Sequence, residues 1–409
     1  MSMTTQDSKP SHIRMFLEWT AANLSRVTST HEFIPEVDGL RFVALLPVLF
    51  LHSAGTMMWV RGRADHSIWA FHDGRTLRIL ALGGIGVQIF FVISGFVVAL
   101  PFARYALKGA PRPRLSNYFL RRVTRIEPPY FLALLASYAQ SRAYVRLLPD
   151  LVAGMFYMHQ IVFGTWNPVN FVTWSLEAEV LFYILAPWLT KVYLIADRTN
   201  RWALQMIVIA AYGNFVQFWL VPYGPSRFNE SFFSYLPYFM AGILLADLYA
   251  SGMVRRSGKI VWDLAAIAGG AAAFYAWGWG WNHWLAPFMV MTMFVGGLKG
   301  RFVNMFLRMR PITIIGGMCY TVYLWHPVML TLIGLRLGNL IPDRIQDGPA
   351  ALLFCLMAVP IILVGTAPIF FFIEKPFMNG PGSRFLTRVL RRIGEAIQRK
   401  PRIAVDQAG

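Results

Sequence analysis

The stretch EVDGLRFVALLPVLFLHSAG, residues 36–55, reads as a membrane-spanning helix with a cation at its mouth and an imidazole inside it. Ten mostly apolar residues separate Arg41 from His52. At about 100° and 1.5 Å per residue, that interval makes almost three turns, so the two side chains share a face about 16 Å apart. Asp38, just ahead of Gly39, is expected to cap this helix and to pair with Arg41 three residues on. An imidazole in a membrane helix can serve structure by donating to a carbonyl, but ionisable groups at that depth are rare and usually functional.

The rest of the chain has the same character. Of 409 residues, 56% are hydrophobic and 14% charged, which excludes an ordinary soluble domain and fits an all-α, polytopic transmembrane bundle. Apolar runs predict about ten spans, near 40–60, 80–103, 127–144, 173–195, 202–221, 232–250, 260–279, 282–299, 311–333 and 350–373. Residues 146–164 read either as a re-entrant segment or as another span. The polar stretch before the first span is not expected to be a cleavable signal. With the N-terminus placed in the cytoplasm, 29 of the 38 Lys and Arg fall on the cytoplasmic side and 9 on the other. The net charge of +18 is therefore a topology signal rather than a nucleic-acid footprint, and both termini are expected to be cytoplasmic. Three regions follow: an arm over 1–37 that reads near 12–27 either as an interfacial helix or as a loosely ordered segment, a transmembrane domain over 38–377, and a basic amphipathic tail over 378–409 facing anionic lipid. Cys319 and Cys355 lie within apolar runs, with no disulfide framework and no metal-ligand spacing.

Counting from span ends places His52, Gln88, Glu179 and His326 within about 8–12 Å of the same outer face, as if converging on one wet cavity. Polar residues gluing helices together would look the same. Glu177 and Glu179 stand about 200° apart on their helix, so only one of them can face a given site. In RRVTRIEPPY, Arg122 and Arg125 share a face at the cytoplasmic mouth of the third span. The planar arginine fork suits phosphate, while ordinary positive-inside residues would occupy the same place.

VDGLR with His52, GGIGVQIFFVISGF, RRVTRIEPPY, WSLEAEVLFY, CYTVYLWH and IEKPF occur in this order over residues 38–377. With them the chain resembles the acyltransferase-3 family of bacterial integral membrane O-acyltransferases. The resemblance implies an enzyme of the bacterial inner membrane that moves an acyl group, usually acetyl, from acyl-CoA to a hydroxyl of a surface glycan or lipid-linked glycan, without a metal. It implies His52 as general base or as carrier of a transient acyl group, with Arg41 and Glu179 beside it. Arg41, Arg122 and Arg125 would hold the CoA phosphates, and Gln88, Trp174, Tyr323 and His326 would meet the acceptor. Gln88 stands where many relatives carry an acid, Gly317 where a base is common, and Pro327 where Trp often follows the histidine. The hydrolase-like domain fused to some relatives is not expected here, so a second transfer step would fall to another protein. A glycan-precursor transporter and an enzyme acylating a small hydrophobic alcohol such as a macrolide are the competing readings.

Overall fold

A computed structural model describes residues 33–63, 74–280 and 283–398, together with Leu24. The expected interfacial helix over 12–27 lies outside these residues except at Leu24. In chain order the helices are α1 (Pro35–Val60), α2 (Arg75–Ala81), α3 (Ile85–Lys108), α4 (Leu115–Ser141), α5 (Tyr144–Met155), α6 (His159–Phe163) and α7 (Trp174–Leu189). Then come α8 (Arg198–Phe215, running on through a π-turn to Tyr223), α9 (Phe232–Ala250), α10 (Ile260–Gly278), α11 (Ala286–Lys299) and α12 (Phe302–Leu307). The last five are α13 (Arg310–Gly317), α14 (Cys319–Gly338), α15 (Asp347–Ile369), α16 (Lys375–Asn379) and α17 (Pro381–Gln398). Among the described residues there are no strands.

Six stretches are long and apolar enough to cross a membrane: α1, α2–α3, α8, α9 with the turn before it, α10, and α15–α16. The pair α13–α14, bent by 69° around Met318, would make a seventh. The other three expected spans correspond to α4, whose first half is charged, and to the shorter α7 and α11. Over 146–164 the chain forms α5, of 12 residues, and α6, of 5, broken at Tyr157 with φ of 56°. Neither reaches the roughly 20 residues a crossing needs.

Helix α1 is the hub, packing against α3, α13, α14 and α15. Its start differs from expectation. Pro35, with φ preset for a first helical position, opens the helix one turn early behind Ile34. Asp38 therefore lies inside the first turn instead of capping it, and its ion pair with Arg41 is made there, buried. Gly316 of α13 is seated directly on the Asp38 carbonyl, where a Cβ would have no room.

Close backbone approach recurs where α3 crosses α9. A Cβ on Gly242 would stand 2.3 Å from the Val92 carbonyl oxygen, and one on Gly95 2.4 Å from that of Phe239. Without a hydrophobic drive between helices in lipid, such small-residue contacts supply the association. A buried ion pair adds to it: Arg201 of α8 bonds Asp247 of α9 at 2.6 Å, with Trp202 and Gln205 donating to the same carboxylate. Within the expected tail a helix, α17, runs over Pro381–Gln398, and residues 399–409 lie outside the described residues.

Gly242→Val should cost about 1–3 kcal/mol by overpacking the α3–α9 crossing. Gly270→Ala, where the nearest atom would be Met293 Sδ at 3.5 Å, should stay within about 0.5 kcal/mol. Thermal unfolding of the detergent-solubilised variants checks both.

Candidate active site

Two cavities lie side by side inside the bundle, with Val87 and Tyr323 lining both. The first, about 110 Å³, is lined by Arg41, Arg122, Arg125, Glu179, Tyr183 and Ser94, among others. Its three cations are held differently. Arg41 is paired with Asp38 in α1. The Arg122 guanidinium lies 4.8 Å from the centre of the Tyr183 ring and 5.8 Å from that of Tyr118. Arg125 reaches to 3.9 Å from Glu374. That carboxylate, fully buried, also accepts from Thr321 N at 3.1 Å and Thr321 Oγ1 at 2.6 Å. It thereby satisfies orphan backbone and hydroxyl donors in the first turn of α14, just past the break at Met318. Glu179 accepts from Ser94 Oγ at 2.6 Å and from the Tyr183 hydroxyl.

The second cavity, about 40 Å³, is lined by His52, Gln88, Trp166, Trp174, Glu230 and Tyr235, among others. Tyr235 donates to Glu230 at 2.6 Å. The Gln88 side chain is 1% exposed, and its Oε1 has no hydrogen-bond partner among the described residues. Behind the cavity, His52 Nδ1 lies 2.6 Å from His326 Nε2, and His326 Nδ1 lies 2.7 Å from the Tyr323 carbonyl oxygen. Phe171 stands edge-on to His52 with ring centres 4.9 Å apart. The Tyr323 hydroxyl is engaged by Ser175 Oγ at 2.8 Å.

The fold therefore brings the expected residues together in two groups instead of one. Arg41, Arg122 and Arg125 line one cavity, and Gln88, Trp174 and Tyr323 surround the cavity of His52. Glu179 does not join His52. It lies five residues beyond Trp174 on α7, about 7.5 Å farther along the axis, and that rise moves it into the arginine cavity. His326 lines neither cavity; it is fully buried and contacts His52 from behind. Glu177, on the opposite face of α7 from Glu179, accepts from Gln160 N at 2.8 Å and so holds the short α6. Glu230 and Trp166 were not legible in the sequence, since both come from turns outside any periodic pattern. The one signal that could have found Glu230 is a carboxylate just before the Ser231 cap of an apolar helix.

The acyltransferase-3 family model, described as an acyltransferase domain, matches residues 34–373. Among curated proteins, the chain is 24% identical over 327 residues to "O-acetyltransferase OatA" of Staphylococcus aureus (strain NCTC 8325), covering 72% of this chain and 50% of that protein. It is 23% identical over 341 residues to "Peptidoglycan O-acetyltransferase OatA" of Listeria monocytogenes, covering 74% and 50%. It is 26% identical over 259 residues to "Acyltransferase MdmB" of Streptomyces mycarofaciens, covering 56% and 60%. The chain thus spans about half the length of the OatA relatives it matches. No solved structure matches it.

Glu374→Ala should lower stability by about 1–3 kcal/mol, because it leaves the Thr321 donors unmet in a buried place. Glu374→Gln, which keeps one acceptor oxygen, should lose less, and thermal unfolding with intrinsic fluorescence compares the two.

Proposed function

The chain belongs to the acyltransferase-3 family, and we propose that it moves an acyl group, most simply acetyl, from acyl-CoA to a hydroxyl of a surface glycan or lipid-linked glycan at the bacterial inner membrane. The observation that carries this reading is the pair of neighbouring cavities that share Tyr323 in their lining, one walled by three arginines and the other by His52. Arginine forks match phosphate oxygens bidentately, so the first cavity suits the nucleotide end of CoA. The designation of the Listeria relative as a peptidoglycan O-acetyltransferase supports an acetyl donor and a glycan acceptor.

The chemistry then runs between the two neighbouring cavities. The acceptor hydroxyl gives its proton to the neutral imidazole of His52 while its oxygen attacks the thioester carbonyl. The new C–O bond forms, the C–S bond breaks, and the departing CoA thiolate takes the proton back from the imidazolium. Glu179 and Tyr183, hydrogen-bonded to each other beneath Arg122, act on the donor side. Trp174 and Gln88 border the acceptor.

Placing the arginines at the cytoplasmic mouth follows from the 29-to-9 basic asymmetry. The N- and C-termini belong on that same side, and the ten-span topology goes with it.

His52→Ala should lower acyl transfer by about 10²–10⁴ while the protein still inserts and folds. Purified variant with near wild-type turnover of acetyl-CoA would overturn His52 as the base. In oriented vesicles, acyl-CoA supplied to the cytoplasmic side should support transfer and label should appear on acceptor at the opposite side. Equal transfer with donor given only to the extracytoplasmic side would refute the proposed sidedness.

A further inference from the structure

His326 sits within hydrogen-bonding reach of two partners, and the chemistry of those partners fixes which of its nitrogens carries the proton. Its Nδ1 is 2.7 Å from the Tyr323 carbonyl oxygen, in the same helix. A carbonyl only accepts, so Nδ1 must donate. In an unbroken helix that carbonyl would receive the backbone N–H of residue 327, four positions on. Residue 327 is proline, inside α14, and has no N–H to give. The carbonyl is left open, and the histidine beside it takes it up.

A neutral imidazole with its proton on Nδ1 has a bare lone pair on Nε2. That lone pair faces His52 Nδ1 at 2.6 Å. Two lone pairs cannot share such a contact, so His52 must carry its own proton on Nδ1. The ring geometry agrees with a hydrogen bond in the ring planes. The planes are 16° apart and the centres 4.9 Å apart, so subtracting the 2.6 Å between nitrogens leaves 2.3 Å. That remainder is about the sum of the two centre-to-nitrogen distances, which puts the rings end to end rather than face to face.

We propose that Pro327, the Tyr323 carbonyl and His326 form a relay that fixes the tautomer of His52, leaving Nε2 as its lone-pair nitrogen. His326 is then a positioning residue for the base and not an acceptor contact. The inference rests on the reading of His52 as general base for its functional meaning, although the tautomer itself does not depend on that reading. When Nε2 takes a proton, the resulting imidazolium keeps its Nδ1–H on His326, so the relay holds the ring in place before and after the transfer. This is the part that a carboxylate plays behind the histidine of a hydrolase triad, here performed by a neutral ring.

The test is nitrogen-15 NMR of the full chain in detergent, with labelled histidine, above the pH at which histidine is charged. The His52 resonances are assigned by their loss in His52→Gln. The expected spectrum has a protonated Nδ1 and a lone-pair Nε2 at His52. His326→Phe keeps an aromatic ring but offers no acceptor, so His52 should lose its fixed preference for Nδ1–H. The same variant should lower kcat roughly tenfold or more with little change in the KM for acetyl-CoA. His326→Gln, whose amide oxygen can accept from Nδ1–H, should restore much of both readouts. A wild-type His52 with its proton on Nε2 would overturn the relay, and so would an unchanged tautomer in His326→Phe. If His326→Phe fails to fold, the wild-type and His326→Gln spectra decide alone. A wild-type protein with the Nδ1–H signature but no transfer from acetyl-CoA would instead refute the proposed reaction and leave the relay standing.

Discussion

Every backbone donor and acceptor inside a hydrocarbon layer has to find its partner within the protein, and much of this structure follows from where the chain breaks that requirement and how it repairs it. Three such places are the bend around Met318, the proline inside α14, and the short turn between α5 and α6. At each interruption a side chain does the work of a missing backbone partner. Glu374 accepts from Thr321 N, His326 stands at the Tyr323 carbonyl, and Glu177 accepts from Gln160 N. At the foot of α12, Asp263 accepts from Arg301 N and Val303 N at 3.0 and 2.8 Å in the same way. Glu374, Glu177 and His326 all belong to the short polar motifs that stand out in an apolar chain. Residues that look catalytic by type are thus partly spent on keeping broken helices satisfied, and the others are held in place by that repair.

Helix positions were legible because apolar runs of about 20 residues leave few alternatives. The face shared by Arg41 and His52, and that shared by Arg122 and Arg125, followed from helical pitch alone, which does not depend on what packs alongside. Lateral relations were less accessible. Glu179 was expected beside His52 because both counted to the same depth, yet depth from an uncertain boundary carries an error of about one turn, and a step of about 7.5 Å along α7 leads from one cavity to the other. His326 was grouped with acceptor contacts by its counted depth and by the family resemblance. Its actual partner was set by the bend at Met318 and by Pro327, and neither effect has a period that a sequence pattern could reveal.

The start of α1 illustrates the same division. Asp38 has the residue type of a helix cap, and its pairing with Arg41 did follow from a spacing of three. The cap did not form because Pro35 had already opened the helix, and Gly316 then packed against the Asp38 carbonyl. Local preference was overridden by an equally local preference one turn earlier, and the close contact with α13 fixed the result.

Helix α1 carries Arg41 into one cavity and His52 into the other on a single helix that continues through Pro47. The interval between them is therefore coded by length and not by composition. Apolar replacements that keep volume leave the angle between the two side chains as it is. A one-residue insertion or deletion between them would instead swing one against the other by about 100°, and no substitution elsewhere in the helix would undo the turn. Lineages descending from this sequence can exchange these ten residues only as far as the packing around buried Ala44, Leu45, Val48 and Leu49 allows, and cannot gain or lose one.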